Sequence, residues 1–226
     1  AKALYQRMGD KVEIVGIMNG YDGLIRGNYR DMDPCEFSGI LTVGGTILGT
    51  KRTPFKKMRL VEDYKIDKVA AKKKTYKEDK QECLRCLGGN GTHKNANLLS
   101  QEGLNIIGLP KTIDNDIYGT DVTFGFHTAV EIATDVIDRI HTTAGNHSRV
   151  ICIAVLGNKA GWLSLYPCIA GRTDIILIHK HHYDIKKVAT AVVRPANAGN
   201  EFSILAGPAR PFSTKKTKIK RKTRHT

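Results

Sequence analysis

The sequence predicts a doubly wound α/β fold, a mostly parallel sheet in a Rossmann-like three-layer arrangement. Three observations lead there. Short apolar runs carry almost no charge, segments of helical spacing separate them, and the two kinds follow each other in turn along the chain. Runs that are apolar on both faces suit strands covered by helices above and below.

Taken in order, residues 12–17 (VEIVGI) form the first such run. Residues 51–75 carry ten basic and three acidic side chains without an apolar period until their end, and read as a solvated loop and helix face. The next strand is 83–87 (CLRCL), and the turn Gly88-Gly89-Asn90-Gly91-Thr92-His93-Lys94 leads from it into a helix. A strand at 104–109 (LNIIGL) follows. A helix is expected over 126–140, because Phe126, Val130, Ala133, Ile137 and Ile140 recur every three or four residues. Residues 150–156 (VICIAVL) are a strand, glycines 157 and 161 flank the next turn, and a helix opens at Trp162. The strand 174–178 (DIILI), a helix over 184–198 opening on an Asp cap, and the strand 202–205 (FSIL) complete the pattern. Residues 1–206 read as the folded part, and 207–226, nearly devoid of apolar side chains after Phe212, as a disordered basic tail.

The 226 residues are 41% hydrophobic and 26% charged, which excludes a wholly disordered or collagen-like chain. No apolar run approaches the roughly 18–20 residues of a membrane span. The start, Ala1-Lys2-Ala3-Leu4-Tyr5, lacks both a secretory apolar region and a methionine and reads as a cut end. Of the net charge of +14, eight units fall in the last twenty residues, which hold no acidic group. The milder excess before them suits a protein that handles small polyanions. A nucleic-acid reading would rest on the tail alone, and only His225 supplies a ring after Phe212 for stacking. Five cysteines, an odd number with three inside apolar runs, read as reduced thiols in a cytoplasmic setting. Cys83 and Cys86 form a lone CxxC without the second pair a zinc ribbon needs, and read as core residues of a strand.

Three constellations bear on chemistry. Residues 88–94 let glycines curl the backbone so that successive N–H groups face one concavity at a helix N-terminus, where a phosphate chain fits. The run is neither a Walker loop nor a full GxGxxG fingerprint, and tight structural turns share its pattern. Next, Pro110-Lys111-Thr112-Ile113-Asp114-Asn115-Asp116 follows a strand at its carboxyl end, where α/β sheets bind ligands. If extended, it places Thr112, Asp114 and Asp116 on one face. Paired carboxylates call for a cation, a metal or a proton to be moved, so one would take a sugar hydroxyl's proton while the other holds Mg²⁺-bound water. The competing reading is that both aspartates cap the next helix and shape a turn. The third run, from Ala154 to Trp162, contains nothing reactive and reads as a binding wall.

In this order the motifs resemble the 6-phosphofructokinase family. The resemblance rests on VGI…GYDGL (15–24), GGTILGTKR (44–52), GGNGT (88–92), PKTIDNDIYGTDVTFGFHTA (110–129), HSRVICIAVLGNKAGW (147–162) and IAGRTDIIL (169–177). It covers about residues 1–206 and is nearest to the bacterial-type branch that mixes ATP and pyrophosphate users. It implies a phosphofructokinase-like fold and phosphoryl transfer from ATP to the C1 hydroxyl of fructose 6-phosphate, with Mg²⁺ as cofactor. Asp114 matches the catalytic base, with Lys111 beside it. Thr112 and Asp116 match its neighbours at sugar and metal-bound phosphate. Gly89, Asn90, Gly91 and Thr92 match the donor-phosphate loop, Arg52 a donor-phosphate arginine, and Tyr21 a nucleotide-contacting tyrosine. Leu156, Gly157 and Asn158 stand against the sugar. Arg149 matches an arginine that reaches a neighbouring subunit's sugar phosphate, so the resemblance implies a dimer or tetramer.

Two positions speak to the donor. Pyrophosphate users resemble GGDD, whose second Asp occupies the ATP α-phosphate space, and Gly91 leaves that space open. Lys111 is the residue type that pyrophosphate users carry before TIDND. A like-charge clash is harder to tolerate than an added cation, which favours ATP over pyrophosphate. Several departures bear on activity. The family's first strand with its GGxxPGxN loop does not precede Ala1. Asn90 replaces an Asp that helps hold Mg²⁺, so Asn90 and Asp116 form a weakened metal pair. Asn158 replaces an Arg, and His179-Lys180-His181-His182 stands in place of a VPE(I/V)P-like stretch, reading as a solvated surface run. The resemblance ends near Ala206, before the family's second sugar-binding half. A pyrophosphate-dependent enzyme and a non-catalytic remnant of the family are the alternatives.

Overall fold

The computed structural model describes residues 1–55, 67–156, 160–178, 183–197 and 202–208. The chain divides into two compact units, Ala1–Leu87 with Gly91–Leu109, and Gly88–Asn90 with Pro110–Thr226.

The first unit runs through α1 (Lys2–Met8), β1 (Val15–Ile17), α2 (Tyr21–Arg26), β2 (Tyr29–Asp31) and α3 (Lys68–Glu78). It continues with β3 (Leu84–Gly88), α4 (Asn90–Gln101) and β4 (Ile106–Pro110), whose extreme residues fall to the second unit. β1 pairs antiparallel with β2, Val15 opposite Asp31. Between them the chain reverses through α2, packed close to the end of β1. Gly23 permits this, because a Cβ there would collide with the Met18 carbonyl, and Gly27 ends α2 in the left-handed conformation. β3 pairs with β4, and the Leu84 N–H donates to the Asn105 carbonyl while the Lys111 N–H donates to that of Gly88, which sets them parallel.

Leu24, Leu84, Cys86, Ala96, Leu99 and Leu104 form the core of this unit, with Ile17, Tyr21, Val69, Tyr76 and Ile106 packed against it. Helices α2, α3 and α4 therefore all gather on the β3 face that carries Leu84 and Cys86. The expectation of strands buried on both faces fails here: along β3 burial alternates, and Leu87 is 64% exposed. The solvated reading of residues 51–75 holds for 51–55, which are mostly exposed, and is corrected over 67–75, while 56–66 lie outside the described residues. Asp67 caps α3 by accepting from the Val69 and Ala70 N–H groups, and α3 buries Lys72 and Thr75. Lys72, 1% exposed, lays its ammonium 4.4 Å from the centre of the Tyr21 ring. The apolar stem beneath the charge allows this burial without an apolar stripe in the sequence.

The second unit contains α5 (Phe126–Asn146), β5 (Val150–Val155), α6 (Trp162–Ala170), β6 (Ile175–Ile176), α7 (Ile185–Asn197) and β7 (Ser203–Pro208). Its sheet has the order β5-β7-β6 and is parallel throughout, with Val150 opposite Ser203 and Ile175 opposite Leu205. The last described strand takes the middle, so Ile204 and Ala206 are fully covered. Ile137, Val155, Leu163, Cys168 and Ala206 make its core. Asp174 locks β6 to β7: its carboxylate accepts from the Ile204 N–H at 2.7 Å.

The architecture is thus α/β, as the sequence predicts, although the described strands pair in three short sets rather than one. β2 has no counterpart among the apolar runs, because its exposed residues are recruited by backbone pairing alone. Gly207 and Pro208, assigned above to the tail, are the last residues of β7. Residues 209–226, the His179-Lys180-His181-His182 run, and Gly157 and Asn158 lie outside the described residues.

Candidate functional site

Within the second unit, the glycine turn and the TIDND run are fastened to each other. The Lys111 N–H donates to the Gly88 carbonyl at 3.0 Å, continuing the β3–β4 ladder by one step. A Cβ placed on Gly89 would stand 3.8 Å from the Thr112 Cβ, so the turn faces the start of the acidic run with room for little more than a methyl group between them. The Asn90 amide Nδ2 donates to the Asp116 carbonyl at 3.1 Å. Three consecutive turn residues therefore hold both ends of the acidic run.

The run itself is not extended, which corrects the expectation that Thr112, Asp114 and Asp116 share one strand face. Asn115 has φ of 49°, the left-handed region that asparagine tolerates better than most residues, and the chain kinks between the two aspartates. The Thr112 hydroxyl accepts from the Asp114 N–H at 3.2 Å. Nor do the aspartates cap the next helix: the N-cap of α5 is Gly125, with no side-chain cap. Thr112, Asp114 and Asp116 are half-buried, while Lys111 is exposed. Phe124 returns alongside, its N–H donating to the Pro110 carbonyl at 2.9 Å, so residues 110–124 close into a loop.

Within the first unit, the other half of the glycine turn rests on side chains. The Tyr21 hydroxyl lies 2.9 Å from the Thr92 carbonyl, to which it donates, and 3.4 Å from the Cys86 thiol. Burial pushes the ionisation of Tyr21 well above the ordinary tyrosine range and raises that of the Cys86 thiol. Burial also lowers Lys72 to about 8. Asn95, 1% exposed, donates through Nδ2 to the Gly91 carbonyl at 3.0 Å and reaches the Thr53 carbonyl at 3.5 Å. It thereby ties the turn to the residue after Arg52, whose own side chain is exposed. The sequence reading assigned no role to Asn95, Asn115 or Thr123, since only the folded chain reveals which carbonyls they reach. A Cβ on Gly91 meets nothing within 4 Å among the described residues, leaving open space over the turn. Further along α4, the His93 ring occupies the place a side chain at residue 108 would take.

Two expected site residues stand apart. Arg149 precedes β5 and Leu156 follows it, so the six residues of the strand separate them by about 20 Å. Both are exposed, Leu156 by 70%. Among the described residues no group of three or more His, Cys, Asp or Glu side chains is arranged to hold a metal. A magnesium ion on a phosphate needs fewer protein ligands, one or two carboxylates with water and phosphate oxygens completing the octahedron. Asp116, half-buried and tied to the glycine turn through its backbone carbonyl, supplies one carboxylate of that donor set.

Comparison with known proteins accords with this geometry. The family described as Phosphofructokinase matches residues 2–220. The chain is 55% identical over 207 residues to the ATP-dependent 6-phosphofructokinase of Spirochaeta thermophila, covering 90% of this chain and 56% of the relative. It is 47% identical over 195 residues to that of Propionibacterium freudenreichii, covering 86% and 52%. The chain thus spans about half the length of these curated relatives. Among solved structures, phosphofructokinase from Saccharomyces cerevisiae superimposes with a TM-score of 0.78 at 26% identity, over 89% of this chain and 30% of that one. A pyrophosphate-dependent phosphofructokinase from Nitrosospira multiformis, 17% identical, shares the fold with a TM-score of 0.80 over 94% of this chain and 56% of its own. With a family match over nearly its whole length and the acidic loop built onto the glycine turn, the chain belongs to the phosphofructokinase family.

Proposed function

We propose that this chain carries the phosphoryl-donor portion of an ATP-dependent 6-phosphofructokinase. The carrying observation is the fastening of the Thr112–Asp116 loop to the glycine turn by the Asn90 amide and the Lys111 N–H. That connection fixes an acceptor-side carboxylate relative to a donor-phosphate cradle, which is what positioning an in-line transfer demands.

In this reading Asp114 accepts the proton of the sugar C1 hydroxyl as its oxygen bonds to the γ-phosphorus and the bond to the departing ADP oxygen breaks. Lys111 and the N–H groups of Gly89, Asn90, Gly91 and Thr92 balance charge on the phosphates, with Arg52 and Tyr21 on the donor side and Thr112 toward the sugar. Bound Mg²⁺ supplies charge neutralisation on the donor phosphates, and Asp116 would hold it, with the neutral Asn90 a weaker contributor. Leu156, Gly157 and Asn158 keep the sugar-side role. The separation of Arg149 from Leu156 supports Arg149 serving a neighbouring copy's sugar phosphate, hence a homo-oligomer. The names of the relatives, ATP-dependent 6-phosphofructokinases, support fructose 6-phosphate as the acceptor. A cytoplasmic location goes with this reading; all five cysteines are unpaired, and no described helix is long and apolar enough to cross a membrane.

The open space over Gly91 favours ATP, whose α-phosphate needs that room. The exposed Lys111 is what favours pyrophosphate as the second reading. Steady-state production of fructose 1,6-bisphosphate by the 226-residue chain, with ATP or pyrophosphate at equal Mg²⁺, tests both. Turnover with ATP at least tenfold above pyrophosphate is the expected result. The reverse order makes the donor pyrophosphate, and no turnover with either makes the isolated chain a non-catalytic member.

A further inference from the structure

We propose that Asn115 and Thr123 are positioning residues that clamp the loop around Asp114 from both sides and thereby hold its carboxylate for proton abstraction. This rests on the reading of Asp114 as the base given above.

Asn115 sits between the two aspartates at φ of 49°, and its side chain is engaged at both ends. Its Oδ1 accepts from the Thr123 N–H at 2.9 Å, and its Nδ2 donates to the Asp121 carbonyl at 3.2 Å. Thr123 is 2% exposed, and its hydroxyl donates to the Thr112 carbonyl at 2.7 Å. The Thr123 carbonyl in turn accepts from the Phe126 N–H at 3.2 Å, at the first residue of α5, and Phe126 is 3% exposed. Thr123 is therefore a three-way joint. It grips Thr112 two residues before Asp114 and Asn115 one residue after it, and roots both on a buried helix start.

The consequence is mechanical. Asp114 has one rigid neighbour on each side, and its own N–H is taken by Thr112 Oγ1. A loop of this length without helix or strand of its own is uncommon unless something fixes it for use. Neither Asn115 nor Thr123 needs to meet the substrate for this role. Shifts of about 1 Å at a reacting group cost on the order of 10²-fold in rate, so a slack clamp acts on kcat.

The test separates backbone from side chain. Asn115→Gly keeps the left-handed conformation and removes both bonds, whereas Asn115→Asp keeps the acceptor for the Thr123 N–H. Thr123→Val keeps shape and removes the hydroxyl, whereas Thr123→Ser keeps it. Expected for Asn115→Gly and Thr123→Val in the 226-residue chain are a kcat lower by about 10- to 100-fold with KM for ATP within about twofold, recovery toward wild type in Thr123→Ser, and an intermediate kcat in Asn115→Asp, whose second carboxylate oxygen faces the Asp121 carbonyl. Amide exchange at Asp114 and Thr123 is read on the same proteins, and is expected to quicken at least tenfold in the first pair only. Unchanged kcat in Asn115→Gly and Thr123→Val, or a loss that Thr123→Ser does not recover, overturns the positioning role. If the wild-type chain has no turnover, the proposed function falls while exchange still judges the clamp, and equal exchange in all variants overturns it.

Discussion

The two halves of the glycine turn are supported in opposite ways. On one side, Tyr21 reaches the Thr92 carbonyl across 71 residues of sequence from its place against the first unit's core, and the buried Asn95 joins the Gly91 carbonyl to that of Thr53, 42 residues away. On the other, the acidic loop holds itself by bonds spanning 8 and 11 residues, with Asn90 as its tie to the turn. The first arrangement belongs to the hydrophobic core, so disturbing it should register as stability. The second is local and partly exposed, so disturbing it should register as rate. Function carried on loops and stability carried in packed elements is a general division of labour.

The sharpest way to break the comparison is Asp114→Asn. The expected outcome is a fall in kcat of about 10²- to 10⁴-fold at an unchanged denaturation midpoint, checked by steady-state kinetics and urea titration. A large loss of stability with little loss of rate would place Asp114 on the structural side instead. Tyr21→Phe probes the other region. Removing the hydroxyl leaves the Thr92 carbonyl without that donor, and the urea midpoint should drop by an amount equivalent to about 1–2 kcal/mol, with the kinetic effect confined to KM for ATP because Tyr21 stands on the donor side. A rate effect without a stability effect would erase the distinction drawn here.

A smaller effect comes from Lys72 under the Tyr21 ring. Its folded-state value is lowered to about 8 by burial, reinforced by the nearby Lys68 and opposed by Cys86, while in the unfolded chain it stays near 10.5. Between those values the unfolded state binds more protons than the folded one, so this group makes stability climb as pH rises from about 8. Cys86 and Tyr21, both raised by burial, act in the opposite sense as the unfolded chain loses their protons first. Comparing Lys72→Met with wild type isolates the lysine. The variant should be the more stable by about 1 kcal/mol at pH 7, with the gap narrowing by pH 10 in thermal unfolding. A gap that widens with pH would mean that the cation–π contact outweighs the burial cost.

Much of this was legible before folding. Strands at 15–17, 84–88, 106–110, 150–155 and 203–208 fall within or beside the apolar runs, because the covered face of a strand must be apolar whatever its partners. The junction at Gly88 was legible because glycines between a strand and a helix are a backbone requirement, and the aspartates because charge at a strand's carboxyl end is costly without a purpose. α3 was not legible as a buried element, since what it contributes to the interior includes Lys72 and Thr75, whose sequence pattern is that of a surface. The kink at Asn115 was equally hidden. Its cause is a pair of hydrogen bonds to residues 121 and 123, and period-two spacing carries no information about those.

What the order of residues alone determined is the alternation of strand and helix, the glycine junction after β3 and the place of the acidic run at the end of β4. All of these are properties of local backbone freedom and of side-chain solvation. What only the folded chain decided is which strand lies in the middle of the second sheet, which face of β3 the helices cover, and which side chains brace the turn and the loop. Those depend on hydrogen bonds and contacts between segments distant in sequence, where the free energy of pairing is set by geometry that no single segment contains.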